Sequence, residues 1–198
     1  MPHIAPVKSE EIPEQLKPVF EMARGAMGFL PNSMPTMAHW PELSATFGPL
    51  ALTILRTGEL DMGLKQMIAA VVSGAAGCRY CQAHTTHAAT HSAGVDEAKI
   101  AQIWTYQQSD LFTDAERAAL DLALAAGQVP NAASDAHFAT LKRHFSDRQI
   151  IEIVAVISLF GFLNRWNDTL ATELEEEPFS FASSLFSPND WAASKHVG

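Results

Sequence analysis

Apolar positions recur along this chain at intervals of three and four, and nowhere with the alternation that marks a half-buried strand. Leu16, Val19, Phe20, Ala23 and Met27 define one face of a helix over 11–27. Pro31 and Pro35 interrupt the pattern, so 28–36 reads as a loop with a short helix beyond it. Pro41-Glu42 suits a helix start, and the apolar face from Leu43 to Leu55 ends at Thr57-Gly58. Asp61 is a suitable N-cap for a helix through Leu64, Met67, Ile68, Val71 and Val72. That helix is apolar nearly all round and is expected to be buried. Gly74 and Gly77 weaken its end, so the chain should break near Gly77 and restart as a helix at or just before Cys78, closing at Ser92-Ala93-Gly94. A further helix is expected over 96–106. Thr113-Asp114-Ala115-Glu116 and Ser146-Asp147-Arg148-Gln149 are capping boxes, in which hydroxyl and side-chain carbonyl satisfy each other's backbone N–H groups. The first opens a helix to about Gly127, the second the apolar run Ile150–Leu163, and Ser134-Asp135 opens another between them. From Pro178 the chain is rich in Phe, Ser and Pro without a period, and is expected to be a tail that wraps a surface or a partner subunit. The fold class is all-α, in a single domain over 1–198.

Two segments match in register. Asp61–Cys81 set against Asp147–Asn167 pairs Asp with Asp, Arg79 with Arg165, Tyr80 with Trp166, and Cys78 and Cys81 with Asn164 and Asn167. The apolar runs Met67–Gly77 and Ile153–Leu163 are equally long. The domain therefore reads as two related helical repeats, the first over about 41–94 and the second over about 133–175, with 178–198 as a C-terminal tail. The thiols then belong to one half only.

Composition narrows the function. The net charge is −9, with 22 Asp+Glu against 13 Lys+Arg, which argues against nucleic acid and against an anionic membrane surface. The cluster Glu173, Glu175, Glu176 and Glu177 reads as a solvated helix end. The N-terminus lacks a basic start followed by an apolar core, and neither apolar run reaches the roughly 18 residues of a membrane span, so a cytoplasmic protein is expected. In that reducing compartment a structural disulfide would not persist, and the chain's 2 cysteines need another explanation.

Those cysteines lie in Gly77-Cys78-Arg79-Tyr80-Cys81-Gln82-Ala83-His84-Thr85-Thr86-His87. Two buried small apolar side chains is one explanation. Thiol redox chemistry is the other: the free N–H groups of a helix's first turn favour a thiolate, and a CxxC setting can bring a cysteine from a pKa of about 8.5 to about 3.5–7.5. His84, His87 and His91 share one helix face, and His84 stands one turn from Cys81, where it could bear on that thiol's ionisation. A zinc site built from Cys78, Cys81, His84 and His87 fails on spacing, because successive steps of three carry the first and last to opposite sides of the helix. Attached haem would need His where Gln82 stands. No cofactor is expected.

At these residues the chain resembles the carboxymuconolactone decarboxylase and AhpD superfamily of alkylhydroperoxidase-like proteins, and within it the two-repeat group called peroxidase-related. The resemblance rests on Gly28-Phe29-Leu30-Pro31-Asn32, on the buried helix leading into Gly77-Cys78-x-Tyr80-Cys81, and on Phe162-Leu163-Asn164-Arg165. It implies an AhpD-like helical fold, with Cys81 as the peroxidatic cysteine and Cys78 as the resolving one. It also implies a proton relay from a glutamate twelve residues before the first cysteine and a histidine four after the second. Those positions hold Gln66 and Thr85 here, with His84 one place early and Glu152 in Gln66's place in the second repeat. The expected activity is reduction of small organic hydroperoxides through a Cys78/Cys81 dithiol cycle, slowed by the incomplete relay. Cys81, Cys78 and His84 are the catalytic candidates, and Gln66, Thr85, His87 and Glu152 the relay or pocket candidates. A dithiol reductant and self-association into a homo-oligomer are the implied partners. A decarboxylase or isomerase acting on a small lactone or carboxylate, and a non-catalytic thiol sensor, stand as alternatives.

Overall fold

The computed structural model describes residues 1–197, apart from the side chain of Ala26. Among the described residues the chain forms α-helices and no strand: α1 (Lys17–Met27), α2 (Ser33–Met37), α3 (Pro41–Arg56), α4 (Met62–Ala75), α5 (Arg79–His91), α6 (Glu97–Ile100), α7 (Asp114–Ala126), α8 (Asp135–Leu141), α9 (Asp147–Leu170) and α10 (Glu176–Leu185). Short 3-10 turns stand at Ser9–Glu11, Glu14–Leu16, Ile103–Thr105 and Ser194–His196. The all-α expectation holds.

Helix α4 is the buried axis. Asp61 caps it by accepting from the Leu64 N–H, and Met67, Ile68, Val71 and Val72 are all at most 3% exposed. It packs against α5, α7 and α9, which bury its remaining faces. A helix this apolar is stable only when enclosed, and its enclosure sets where α5 must start. Gly77, with φ +75, supplies the left-handed residue that ends α4 and turns the chain into α5, a conformation a side chain would strain. Both predicted capping boxes form, at Thr113–Glu116 and Ser146–Gln149. A third joins Ser134 and His137.

Several expected elements differ. The 11–27 helix begins only at Lys17, after two 3-10 turns, because Pro13 and Pro18 remove donors from its first stretch. The 96–106 helix splits into α6 and a 3-10 turn. The segment matched in register to 61–81 does not copy its break: α9 runs unbroken through the positions matched to Gly77 and Cys78, since Leu163 and Asn164 stand there in place of a left-handed glycine and a cap. By length and composition α9 is apolar enough to cross a membrane, although its central run alone is too short for that. Here it packs on α3, α4 and α5 and buries Glu152, Asn164 and Asn167. The segment from Pro178 is not an aperiodic tail. It contains most of α10, which lies against α5, and Ala182 and Phe186 fix the helix by their burial.

A buried charge cluster ties α3 to α4 and α9. Lys65, 1% exposed, donates from Nζ to the carbonyls of Ile54 (2.9 Å) and Thr57, and lies 3.5 Å from Glu152 Oε2. Glu152 in turn accepts from the Glu59 N–H at 3.0 Å, the Leu60 N–H at 3.1 Å and Arg148 Nε at 2.9 Å. Gly58, with φ +103, admits that carboxylate where a Cβ would collide with it. Burial opposes ionisation of Glu152, but the two N–H groups, Arg148 and Lys65 outweigh it and bring the carboxyl from 4.5 to about 2. A depressed carboxyl contributes stability that is complete above pH 4.5 and lost as pH falls towards 2. Glu152→Gln is therefore expected to cost about 2 kcal/mol at neutral pH. Urea titrations should show the gap between variant and wild type closing as pH falls from 4.5 towards 2. A gap unchanged over that window would contradict the assignment.

Candidate active site

Cys78 is the N-cap of α5 and Cys81 lies in its first turn, both reduced and buried to 0% and 2% exposure. The Cys78 N–H donates to the Ser73 carbonyl at 3.1 Å, anchoring the turn to the end of α4. The Cys78 thiol lies close enough to Cys81 to oppose its ionisation. Asn167, on α9, donates from Nδ2 to Cys81 Sγ at 3.4 Å. These two residues are the ones that match in register between the two halves of the sequence, 86 positions apart.

One turn further on, His84 Nε2 meets Glu175 Oε2 at 2.5 Å. Tyr80 donates from its hydroxyl to Glu175 Oε1 at 2.9 Å, and its ring stacks on His84 with centroids 4.3 Å apart. The backbone N–H of Asn32 also donates to Glu175 Oε1, and that of Ser33 to the Tyr80 hydroxyl at 3.3 Å. Burial penalises the Glu175 carboxylate, yet the His84 imidazole and the Asn32 N–H hold it below its ordinary value. Burial and then the Glu175 charge push Tyr80 well up, so it remains a neutral donor. The result is an imidazole, a carboxylate and a phenol held as one proton-handling unit.

The unit and the thiol open on one cavity of about 160 Å³, walled by Tyr80, Cys81, His84 and Asn167 and otherwise largely by apolar groups such as Leu55 and Phe160. Gln66 and Thr85 also line it, so both replaced relay positions stand at the site. Thr85 spends its hydroxyl on the Cys81 carbonyl at 2.7 Å. Glu152 is a correction: it belongs to the Lys65 cluster and does not line this cavity. His87 lies outside as well, stacked on His91 at 4.2 Å, and burial, with His91 and His84 beside it, lowers its pKa to about 4. Among the described residues no group of three or more His, Cys, Asp or Glu side chains converges as metal ligands.

Three residues of this site are absent from the candidates the sequence offers. Glu175 was expected to be solvated, but it is 9% exposed at its side chain, at the N-terminus of α10. Its signal is Pro178 in a helix's first turn followed by Phe179, Ala182 and Phe186 at helical spacing, which marks a helix whose preceding residue is held in place. Tyr80 and Asn167 appear in the matched segments opposite Trp166 and Cys81, but nothing in that match assigns either a role at the site.

The thiol is not the low-pKa thiolate expected of a helix start. Desolvation, followed by the neighbouring Cys78 thiol, pushes Cys81 well above 9.0, against the smaller opposing effect of Asn167. Thiolate absorbance should show Cys81 still protonated at pH 9.0, and Asn167→Leu should move it higher still. A thiol titrating near neutrality would refute this.

A helical fold with a CxxC pair at the start of the helix after the buried one defines the AhpD-like class. The profile of the carboxymuconolactone decarboxylase family matches residues 41–125, and the chain belongs to that family. It is similar to the debrominase Bmp8, with 37% identity over 92% of this chain and 97% of that one at a TM-score of 0.86. A cysteine-to-alanine variant of the same debrominase, solved in complex with 2,3,4-tribromopyrrole, superposes equally well, at 0.86. An AhpD-core, peroxidase-related protein from Ralstonia eutropha matches at 26% identity over 88% of this chain and 93% of that one, with a TM-score of 0.78. The Escherichia coli protein YnjA is 29% identical over 111 residues, which are 56% of this chain and 60% of that relative.

Proposed function

We propose that this protein is a dithiol oxidoreductase that reductively removes a halogen, bromine in the first instance, from a small, largely apolar aromatic molecule. The observation that carries the reading is the single apolar cavity shared by the Cys81 thiol and the His84–Glu175–Tyr80 unit. A peroxidase relay would place a base on the thiol to make a thiolate. Here the thiol's partners are the Asn167 amide and Cys78, and the acid–base unit faces the substrate space.

The chemistry balances without an outside proton. Cys81 sulfur bonds to the halogen as the carbon–halogen bond breaks, and the thiol proton, carried through His84, reaches the ring carbon. The organic product gains hydrogen in place of halogen, and Cys81 holds a sulfenyl halide. The Cys78 sulfur then attacks Cys81, halide leaves with the Cys78 proton, and a disulfide forms. The substrate has gained two electrons and the thiols have lost two. A dithiol reductant restores them. A thiol that keeps its proton until the substrate arrives suits this sequence, because that proton is consumed in the first step. The similarity to the debrominase supports the reading.

Organic hydroperoxide reduction is the second reading, favoured by the cysteine pair itself and by the likeness to the peroxidase-related protein. There Cys81 would take oxygen, giving an alcohol and a sulfenic acid, and Cys78 would displace water. The reduced protein mixed in one turnover with tribromopyrrole, and separately with cumene hydroperoxide, decides between them. Faster bromide release than peroxide loss is expected. Faster peroxide loss makes the second reading the function, and consumption of neither ends both.

A further inference from the structure

A second, strongly apolar groove adjoins the thiol cavity across a shared wall. Met27, Leu55 and Arg56 wall the thiol cavity, and the same three residues wall a groove of about 180 Å³ between α1 and α3. The rest of that groove is aliphatic and aromatic, with Val19, Met22, Phe47 and Leu52 among its lining. Met22 and Leu52 are 57% and 37% exposed, so the groove is reached from outside.

Arg56, itself exposed, is the one Lys, Arg, Asp or Glu side chain among the described residues of either wall. Its Nη1 lies 3.8 Å from Met62 Sδ, a weak acceptor, and among the described residues no carboxylate pairs with it. Nearby cations are used differently: Lys65 and Arg148 both engage Glu152. A guanidinium at the junction of two apolar chambers has a planar fork of donors and no built-in acceptor, an arrangement suited to an oxyanion on an otherwise apolar body.

We infer that this junction is an anion-selective subsite, and that the aromatic substrate, its reacting ring in the thiol cavity, also carries an ionised acid group that rests on Arg56 and an apolar extension that occupies the groove between α1 and α3. The inference rests on the dithiol reading for which end of the molecule reacts, and on the two chambers alone for how it is held. Arg56 is then a specificity-determining residue. It holds ionised acids and discriminates against their neutral counterparts, in a protein whose net charge of −9 would otherwise repel them.

Calorimetric titration of the reduced protein with octanoate and with octan-1-ol tests this without turnover. Octanoate is expected to bind more tightly than octanol, and Arg56→Gln to weaken octanoate by about tenfold or more while leaving octanol unchanged. Leu52→Glu, at an exposed groove position, should also weaken octanoate selectively by placing a like charge beside it. Octanoate that fails to bind, or binds Arg56→Gln as well as wild type, overturns the subsite. Failure here with thiol turnover intact removes only this inference. Octanoate held through Arg56 in a protein that consumes no thiols keeps the subsite and removes the dithiol reading.

Discussion

Cys81→Ser is expected to lower turnover at least about a thousandfold, because the hydroxyl that replaces the thiol is neither soft enough to take a halogen nor able to form the disulfide that follows. Cys78→Ser should behave differently. Cys81 can still accept the halogen or oxygen in the first step, so one equivalent of organic product forms at close to the wild-type rate. The cycle then stalls on the sulfenyl species, and added small thiol restores slow turnover by doing what Cys78 does. Rapid mixing with product quantified against protein separates the two variants. Equal loss in both from the first turnover would mean that the cysteines act as one structural unit. Unchanged activity in both would move the protein to the decarboxylase or isomerase class. Both side chains are buried, so thermal unfolding of each variant is needed to show that the fold survives.

Glu175→Gln is expected to cut the first-turnover rate by about a hundredfold, within the usual worth of acid–base assistance. Gln keeps the shape, and one oxygen for the Tyr80 hydroxyl and the Asn32 N–H, but it removes the charge that holds the His84 imidazole. Glu175 acts through His84 and is a positioning residue. A double-variant cycle distinguishes that role from simple support of α10. The double variant Glu175→Gln with His84→Gln should be scarcely slower than His84→Gln alone. Additive losses would make Glu175 a structural tie between α10 and α5.

This carboxylate also marks how far the sequence could be read. The helices were legible because their signals are local: Asp61 caps α4, Thr113 and Ser146 open boxes, and Gly77 turns the chain into α5. The thiols were legible because a CxxC at a helix start is a local pattern too. Glu175 stands 91 positions from His84, and the bond between them depends on α10 lying along α5, which no local period reveals. The same holds for Asn167. It was singled out as the match to Cys81 across the two halves, but only the packing of α9 on α5 puts its amide on the thiol. The expected low thiol pKa failed for a related reason: a helix start favours a thiolate, but enclosure by α4 and α9 removes the water that would solvate it. Glu152 shows the converse, a plausible relay position by alignment of the halves that the Glu59 and Leu60 N–H groups hold elsewhere. The motif Gly28–Asn32 carried family resemblance without a stated role. Its Asn32 closes the site by donating to Glu175 and, through Nδ2, to the Glu173 carbonyl at 3.0 Å.

The central claim is that Cys81 and Cys78 together supply the two electrons of the reaction. The most direct test is a single turnover with limiting acceptor, followed by counting of free thiols and mass mapping of the peptides. Two thiols lost per molecule of acceptor consumed, recovered as a Cys78–Cys81 disulfide, is the result this account predicts. Acceptor consumed with both thiols intact would contradict it.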